Sequence, residues 1–408
     1  MAGLSRWWPD YAIKPSSYVS GLCYSILRGE PWTRCGLGCV YCYARWYRGP
    51  HGAPEAKPWW RGLWRRLARE AGRVWPRPWF RFSTLSDPVQ PMPGAREPAG
   101  LTAWALRLAQ HYGVGVVLNT RSGLVARPSL LGVLQGLAER GLVVVQVSLS
   151  PPGAAEVLEP GASPVWKRLE AVEVLAEHGV PAAVRLQPWI PGLDDELYAV
   201  AVEALERGAG GLIAEPLRET RPGLQRLYRL LGVKPWPRLE TWEPYELGKL
   251  PGREGLLHPP GWWRRRLHQA LRGLAARYGA AYASCKDGWL GENAWPPWGP
   301  GWGDCCLYTR LSGGQLRGAM PLLRPTLHEL AHYAALSRDW SWEGFAEYCV
   351  EELAPLGYRC GPLLEELPSW LRKPLRVHEA MLRRLWERKK VESLTRLLGL
   401  EDVGELTG

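Results

Sequence analysis

Three cysteines lie within eight residues, at Cys35, Cys39 and Cys42 in the stretch RCGLGCVYCYAR. The segment contains glycine and lacks helical or strand periodicity, which predicts a loop that presents ligands. A structural zinc site needs four donors, usually in Cys-x2-Cys pairs, and the nearest histidine, His51, lies beyond a Pro-Gly stretch. Three thiolates instead suit a four-iron cluster in which one iron stays open to another ligand.

The Cys-x3-Cys-x2-Cys arrangement, with Tyr41 directly before its last cysteine, resembles the radical SAM superfamily. The resemblance implies a [4Fe-4S] cluster on Cys35, Cys39 and Cys42, with S-adenosyl-L-methionine (SAM) on the open iron. Reductive cleavage of SAM then gives a 5′-deoxyadenosyl radical that abstracts hydrogen from a substrate. An electron donor such as ferredoxin or flavodoxin is implied as a partner.

Apolar, β-branched runs alternate with longer amphipathic segments between about residues 21 and 284, which predicts repeated βα units. The predicted strands are Leu22–Leu27, Phe80–Leu85, Val114–Asn119, Val143–Leu149, Ala182–Gln187, Leu212–Glu215 and Ala280–Ser284. The predicted helices include Leu101–His111, Pro128–Glu139, Pro164–His178 and Asp195–Arg207. No Gly-x-Gly-x-x-Gly turn follows the first strand, so a dinucleotide-binding fold is disfavoured. We predict an α/β fold, a full or partial TIM-like (β/α) barrel of the radical SAM type.

Polar residues follow the predicted strands, at the end where such barrels carry their function. Together with Tyr41, the residues expected to bind the cofactor are Asp87, Asn119, Ser148, Arg185, Gln187 and Glu215. For Asp87 and Ser150, which lie beside prolines, helix capping or turn formation is an equal alternative. Arg185 lies inside an apolar strand and needs a carboxylate partner, either that of SAM or that of Glu159.

Five stretches resemble the spore photoproduct lyase branch, also described as DNA-repair-photolyase-like. They are CVYCYAR, STLSDPVQP, VSLSPP, EPGASPVWKRLEAVEVLAEHGV and RLQPWIPGLDD, within roughly Gly21 to Pro216. The branch implies SAM contacts from the strand ends named above. It does not imply thymine-dimer repair, because the lyase uses a hydrogen-donating cysteine on or just after the second strand and Phe80–Pro88 contains none.

Charge and aromatic content favour a nucleic-acid substrate. The chain has 51 Lys and Arg against 40 Asp and Glu, and residues 45–81 form an insert in which ten basic residues and six tryptophans meet only two acidic ones. Guanidinium groups bind phosphates and indoles stack on unpaired bases, so single-stranded or flipped-out RNA or DNA is the expected partner. The alternative is a helix, Trp60–Glu70, whose tryptophans face the core while its arginines are solvated.

No apolar run approaches the roughly 18 residues that span a bilayer, and the opening residues do not form a signal peptide. We therefore expect a cytoplasmic protein with no membrane partner. The 37 prolines and the scarcity of asparagine suggest a thermophilic source, with a GC-rich genome as the competing explanation.

Further cysteines follow the barrel, in a predicted division of 1–20 (extension), 21–284 (barrel) and 285–408 (cysteine-containing loop and mainly helical domain). Cys285, Cys305 and Cys306, with Cys349 or Cys360, are expected to bind an auxiliary iron–sulfur cluster or zinc. Alternatively, one of these thiols acts catalytically by donating hydrogen to a substrate radical. Buried, inert cysteine is the plain alternative for Cys23, Cys349 and Cys360.

The stretch HELAH carries the zinc-peptidase signature, with His328 and His332 on one helical face. Glu343 is the candidate third ligand and Glu329 the candidate general base. This resembles a gluzincin peptidase, although the ten residues between His332 and Glu343 are fewer than usual. The competing interpretation is a capping box over Thr326–Glu329. A zinc peptidase is thus the alternative function, and a non-enzymatic nucleic-acid-binding protein is the third.

Overall fold

A computed structural model describes residues 27–44, 52–74, 79–82, 84–90, 100–245, 255–287, 305–312, 325, 329–330, 333, 341–356 and 359–388. The strands are β1 (Arg28–Gly29), β2 (Trp79–Phe82), β3 (Gly115–Thr120), β4 (Val143–Leu149), β5 (Ala182–Trp189), β6 (Gly211–Pro216), β7 (Glu243–Pro244), β8 (Leu257–His258) and β9 (Ala281–Ser284). Seven of them form one parallel sheet in the order β1-β2-β3-β4-β5-β6-β9, while β7 and β8 form a small antiparallel pair.

The helices lie between the strands, as a βα repeat requires. They are α1 (Trp60–Ala71), α2 (Gly100–Tyr112), α3 (Pro128–Ala138), α4 (Ala155–Leu158), α5 (Val165–Glu177), α6 (Asp194–Glu206), α7 (Arg221–Leu231), α8 (Gly261–Arg277), α9 (Tyr308–Leu311), α10 (Trp342–Tyr348) and α11 (Ser369–Arg388). All seven residues of β4 are buried, because a parallel strand in such a fold has both faces covered. The fold is therefore α/β and consistent with a partial barrel, followed by a mainly helical carboxyl-terminal region.

The first two strands differ most from their predicted bounds. Leu22–Leu27 lies outside the described residues except for Leu27, and the strand begins at Arg28, which pairs with Arg81. β2 ends at Phe82 rather than at Leu85. The backbone N–H of Leu85 donates instead to the Glu30 carboxylate at 2.7 Å, which turns the chain away from the ladder.

The segment Cys305–Ser312 fills the interior at the amino-terminal ends of the strands. Tyr308 stacks on Trp79, the first residue of β2, with ring centroids 5.2 Å apart. Gly115, the first residue of β3, leaves room for it, since a Cβ there would lie 2.0 Å from the Tyr308 hydroxyl oxygen. The carboxyl-terminal ends of the strands remain open to a site. No helix in the described ranges is long and apolar enough to cross a bilayer.

Candidate functional site

One cavity lies at the carboxyl-terminal ends of the strands and encloses about 1320 Å³, including space open to solvent. The three motif cysteines and all seven residues expected to bind the cofactor line it. They are Cys35, Cys39, Cys42, Tyr41, Asp87, Asn119, Ser148, Arg185, Gln187 and Glu215.

The cysteine loop is held from the chain that follows β2. The Gln90 side-chain oxygen accepts from the Gly36 N–H at 2.7 Å, and its amide nitrogen donates to the Arg34 carbonyl at 3.2 Å. Gly161 lets a neighbouring loop approach closely, because a Cβ there would lie 2.4 Å from the Gly36 carbonyl oxygen. The loop is thus fixed by contacts distant in sequence.

The motif thiols are shielded from water. Cys35 and Cys39 are buried and Cys42 is half-buried. Burial raises the pKa of Cys35 to about 12, with the nearby Asp87 adding to the shift, and burial likewise raises the pKa of Cys39 above its usual range. These thiols are protonated without a metal, and metal binding would release their protons.

The donor chemistry of the motif fits an iron–sulfur cluster, because cysteine thiolates are the usual ligands of such clusters. Within the described ranges, no three His, Cys, Asp or Glu side chains are grouped to hold one metal ion, and this includes the motif cysteines. A four-iron cluster takes each thiolate on a different iron, so its ligands surround a space instead of meeting at a point. Cys35, Cys39 and Cys42 do line such a space.

Glu30 connects the end of β1 to the loop after β2. Its carboxylate is buried and accepts from the Thr84 hydroxyl at 2.7 Å, the Leu85 N–H at 2.7 Å and the Ser86 hydroxyl at 3.0 Å. These hydrogen bonds shape the cavity wall beside the cysteine loop. Sequence analysis missed it, because nothing near Glu30 in the chain marks its partners.

Asp87 is committed to turn formation. Its carboxylate accepts from the Val89 N–H at 2.9 Å, the Thr120 hydroxyl at 2.8 Å and the Arg121 N–H at 2.6 Å. Burial raises its pKa, and these hydrogen bonds act in the opposite direction. The turn-forming alternative for Asp87 agrees with these contacts.

Glu159 is the centre of a buried ionic network. One carboxylate oxygen lies 2.7 Å from Arg168, the other lies 3.0 Å from Arg121, and the Tyr41 hydroxyl also donates to it. The Arg121 guanidinium lies 5.6 Å from the centroid of the Tyr41 ring. Because Tyr41 directly precedes Cys42, the network holds this part of the cysteine loop in place. Glu159 as the partner of Arg185 is therefore wrong, because other arginines occupy its carboxylate.

Arg185 crosses the floor of the cavity. Its guanidinium donates to Gln187 at 2.8 Å, to Gln146 at 3.0 Å and to the Cys285 sulfur at 3.2 Å. The nearest carboxylate is Glu215 at 3.9 Å, which also accepts from Gln187. Arg185, Gln187 and Glu215 thus form one connected polar group at adjacent strand ends.

Asn119 offers a polar atom that the described protein leaves unused. Its side-chain oxygen is buried and has no hydrogen-bond partner within the described ranges. An unpaired buried acceptor is costly, so a ligand with a donor group is expected beside it. Ser148 also lines the cavity, and its carbonyl accepts from Arg168 at 2.8 Å.

Cys285, Cys305 and Cys306 form a second thiol group inside the barrel. Hydrogen bonds from Cys305 lower the pKa of Cys285 and lower that of Cys306 to about 6, while the pKa of Cys305 is raised. From the sequence, this group was expected at the cavity mouth. In the structure all three thiols are buried and none lines the cavity. The chain returns through the interior, where Gln146 donates to the Cys306 carbonyl at 2.6 Å.

Cys360 does not belong to this second group. It forms a disulfide with Cys349, with Cα atoms 6.4 Å apart. Its assignment to an auxiliary metal site is therefore wrong, because a disulfide sulfur is not a thiolate ligand. Cys349 and Cys360 are both buried, as the buried, inert alternative expects.

We predict that replacing Cys35, Cys39 and Cys42 together by alanine removes all bound iron and any zinc bound outside HELAH. The second thiols hydrogen-bond to one another, and within the described ranges no three His, Cys, Asp or Glu side chains are grouped to hold a metal ion. Inductively coupled plasma mass spectrometry of the purified variant measures both metals. Residual metal that disappears on adding Cys285→Ala and Cys305→Ala would instead establish the second site.

The peptidase alternative cannot be assembled from the described residues. His328 and His332 lie outside them. Glu343 lies in the first turn of α10. Its side chain is 77% exposed, and its carboxylate lies 4.0 Å from the Arg383 guanidinium. Glu329 is buried. A zinc site at HELAH therefore stays an untested prediction.

In the basic insert, tryptophans and arginines have different surroundings. Trp60 and Trp64 are buried on α1, and Trp64 packs edge-on against Phe80 and Phe82. Their expected stacking on bases is wrong, and the core-facing alternative is confirmed for these two. Trp46 and Trp75 lie outside the described residues. Four arginines of α1 are exposed, namely Arg61, Arg65, Arg66 and Arg69.

Comparison with solved structures identifies spore photoproduct lyase as a structural neighbour. The lyase complexed with dinucleoside spore photoproduct matches with a TM-score of 0.51 at 18% identity, over 66% of this chain and 77% of that one. A cysteine-to-serine variant of the lyase matches with a TM-score of 0.50 at the same identity and coverage. The predicted resemblance to this radical SAM branch is thereby confirmed at the level of the fold. No family model and no curated protein matches the chain.

Proposed function

We propose that this protein is a radical SAM enzyme that cleaves SAM reductively and abstracts hydrogen from RNA or DNA. The observation that carries the proposal is the gathering of Cys35, Cys39 and Cys42 with the seven expected cofactor residues around one cavity. The first and the last of these residues, Cys35 and Glu215, lie 180 positions apart along the chain, so the fold brings the set together. The cavity lies at the strand ends where barrels of this kind carry their chemistry.

The motif cysteines would hold a [4Fe-4S] cluster, and the strand ends would hold SAM. Together the two groups supply one-electron reductive cleavage and hydrogen abstraction when bound. The buried Asn119 side-chain oxygen accepts a hydrogen bond from a ligand amine or hydroxyl. The connected group of Arg185, Gln187 and Glu215 orients polar atoms of the ligand from one side. Tyr41 fixes the loop around Cys42 through Glu159.

Basic charge supports a nucleic-acid substrate. The chain carries a formal charge of +11, and such an excess favours polyanionic partners. The solved lyase structure that matches this fold contains a dinucleoside photoproduct. We further propose that the protein acts in the cytoplasm and that ferredoxin or flavodoxin delivers the electron.

The substrate part of the proposal is tested with deuterated nucleic acid. Reconstituted protein is supplied with SAM, dithionite and single-stranded RNA or DNA prepared from cells grown in D2O. Hydrogen abstraction transfers deuterium to the 5′-deoxyadenosine product, and mass spectrometry detects the shift. Product that stays unlabelled with both polymers would contradict a nucleic-acid substrate while leaving SAM cleavage intact.

We predict that the exposed arginines of α1 contribute to nucleic-acid binding. Changing Arg65, Arg66 and Arg69 together to glutamine should weaken binding of a single-stranded oligonucleotide and reduce its salt dependence. Each lost phosphate contact should lower the slope of log K against log salt by about 0.7. Fluorescence anisotropy between about 50 and 200 mM salt measures this slope. Affinity that depends on phosphate contacts falls steeply over this interval. An unchanged slope would make α1 a solvated helix.

A matched control uses exposed arginines on another helix. Arg226 and Arg229 lie on the exposed face of α7, away from the basic insert in sequence. Their replacement by glutamine removes positive charge without touching α1. If both variants weaken binding equally per charge, the effect is one of net charge and the assignment to α1 fails.

A further inference from the structure

Lys286 is a buried cation that lines the cavity and has no carboxylate partner within the described ranges. It follows β9 directly and is only 5% exposed. Its ammonium nitrogen lies 5.4 Å from the centroid of the Tyr43 ring, which is a cation–π contact. Such a contact offsets part of the cost of burial, but a desolvated ammonium still favours an anion.

The backbone around Lys286 is held in an uncommon conformation. Lys286 has φ +56°, in the left-handed region that non-glycine residues rarely occupy. Arg218 and the Tyr245 hydroxyl both donate to its carbonyl oxygen, at 2.8 Å and 2.9 Å. Strain of this kind persists only where the surrounding contacts impose it, and it is concentrated at functional sites.

The next residue is anchored just as firmly. Arg264 donates to the Asp287 carbonyl at 2.9 Å and lies 3.2 Å from its carboxylate, while His268 lies 2.5 Å from the other carboxylate oxygen. These partners and the burial of all three side chains make Lys286–Asp287 a rigid support. The position of the lysine is therefore built into the fold rather than left to a mobile loop.

Lys286 also lies where the sheet is open. Within the described residues, β1 and β9 are the edge strands of the sheet, and they do not pair with each other. Tyr43 belongs to the chain that follows β1, so its contact with Lys286 spans the gap between the edges at the mouth of the cavity. The described strands therefore leave a seam beside which Lys286 lies.

Four other cations line the cavity, namely Arg81, Arg121, Arg185 and Arg218, and three of them lie within 4.0 Å of a carboxylate. Arg121 pairs with Glu159, Arg218 pairs with Glu215, and Arg185 is bonded to Gln187 near Glu215. Lys286 differs from them, because its ammonium meets an aromatic ring instead of an acidic group. A compact point charge of this kind suits phosphate.

We propose that Lys286 binds a phosphate group of the nucleic-acid substrate at the open seam between β1 and β9. The identity of the polymer rests on the proposed function. The ammonium donates to a non-bridging phosphate oxygen, and the Tyr43 ring covers its other side. The carboxylate of SAM is the second source of an anionic oxygen, and the experiment below separates the two.

The test compares Lys286→Gln with wild type and with Lys234→Gln, which removes an exposed lysine elsewhere. Reconstituted proteins are titrated with fluorescein-labelled single-stranded DNA and RNA octamers. A matching octamer set carries neutral methylphosphonate linkages. SAM binding is measured separately by calorimetry. Thermal melting monitored by circular dichroism establishes that each variant is folded, and Lys286→Arg provides a charge-retaining variant.

We expect Lys286→Gln to weaken phosphodiester binding about tenfold or more, as for loss of a charged hydrogen bond. The salt slope should fall by about 0.7, while methylphosphonate binding and SAM binding stay unchanged. Lys234→Gln should match wild type, and Lys286→Arg should recover most of the affinity.

Unchanged phosphodiester affinity in folded Lys286→Gln would overturn the proposal. A loss of SAM affinity without a loss of oligonucleotide affinity would also overturn it and assign the anion to the cofactor. If the wild-type protein binds neither octamer, the phosphate assignment falls together with the nucleic-acid substrate. SAM cleavage, measured on the same preparation, would then stand or fall independently.

Discussion

Changing Cys39 alone to alanine should leave the protein without bound iron and without SAM cleavage. Cys35, Cys39 and Cys42 are the three thiols at the cavity, and a four-iron cluster held by three protein ligands has none to spare. No other cysteine that the structure describes lines this cavity. We expect Cys35→Ala and Cys42→Ala to behave in the same way, with iron, sulfide and 5′-deoxyadenosine all falling below detection.

Cys23→Ala is the matched control, because Cys23 lies outside the motif. It should keep wild-type iron, sulfide and activity after the same anaerobic reconstitution. Full SAM cleavage by Cys39→Ala would refute the assignment of this residue. Loss of iron from the control as well would show that the preparation, rather than the ligand set, decides cluster content.

The second large effect is expected at Arg168, which neutralises Glu159 inside the protein. The two side chains are each 1% exposed and lie 2.7 Å apart. Among the described residues, Arg168→Met would leave the buried Glu159 carboxylate with the partly exposed Arg121 as its remaining ionic partner. Breaking a buried pair from one side costs about 3–5 kcal/mol, so the free energy of unfolding should fall by about that amount. Urea denaturation followed by circular dichroism measures it.

An exposed ion pair provides the comparison. Arg207 and Glu173 lie 2.5 Å apart, with side chains 33% and 45% exposed. Arg207→Met should cost no more than about 1 kcal/mol, because solvent screens the pair. Adding Glu159→Gln to Arg168→Met should recover part of the lost stability by removing the stranded charge. Equal costs at Arg168 and Arg207 would show that burial does not govern the network.

Periodicity in the sequence was sufficient for most of the sheet. β4 coincides with its prediction, Val143–Leu149, because a strand buried on both faces is apolar throughout. The antiparallel pair of β7 and β8 was not predicted, because two-residue strands such as Glu243–Pro244 carry no periodic signal. β1 is equally short, and its position depends on pairing with β2 rather than on its own residues.

The site was predictable where function follows from topology. Residues at strand ends must meet in a parallel barrel, which is why Asn119, Arg185 and Glu215 were expected at one cavity. Residues that hold the loops were missed, among them Glu30 and Gln90. Their partners lie more than 50 residues away, and a single sequence does not reveal such pairings.

Lys286 carried one local signal that went unused. It is a charged residue between Cys285 and Asp287, immediately after a buried strand. Its left-handed backbone and its contact with Tyr43 become visible only in three dimensions. For the tryptophans of α1, the composition suggested a base-stacking surface, but Trp60 and Trp64 are buried. Composition alone does not distinguish a stacking surface from a core.

The central claim, that the cavity holds a cluster and SAM for reductive cleavage, is tested most directly by product formation. Protein reconstituted anaerobically with iron and sulfide is reduced with dithionite, incubated with SAM and assayed for 5′-deoxyadenosine by mass spectrometry. We predict a brown protein that forms 5′-deoxyadenosine only when reductant is present. A colourless protein that binds stoichiometric zinc and forms no 5′-deoxyadenosine would contradict the account.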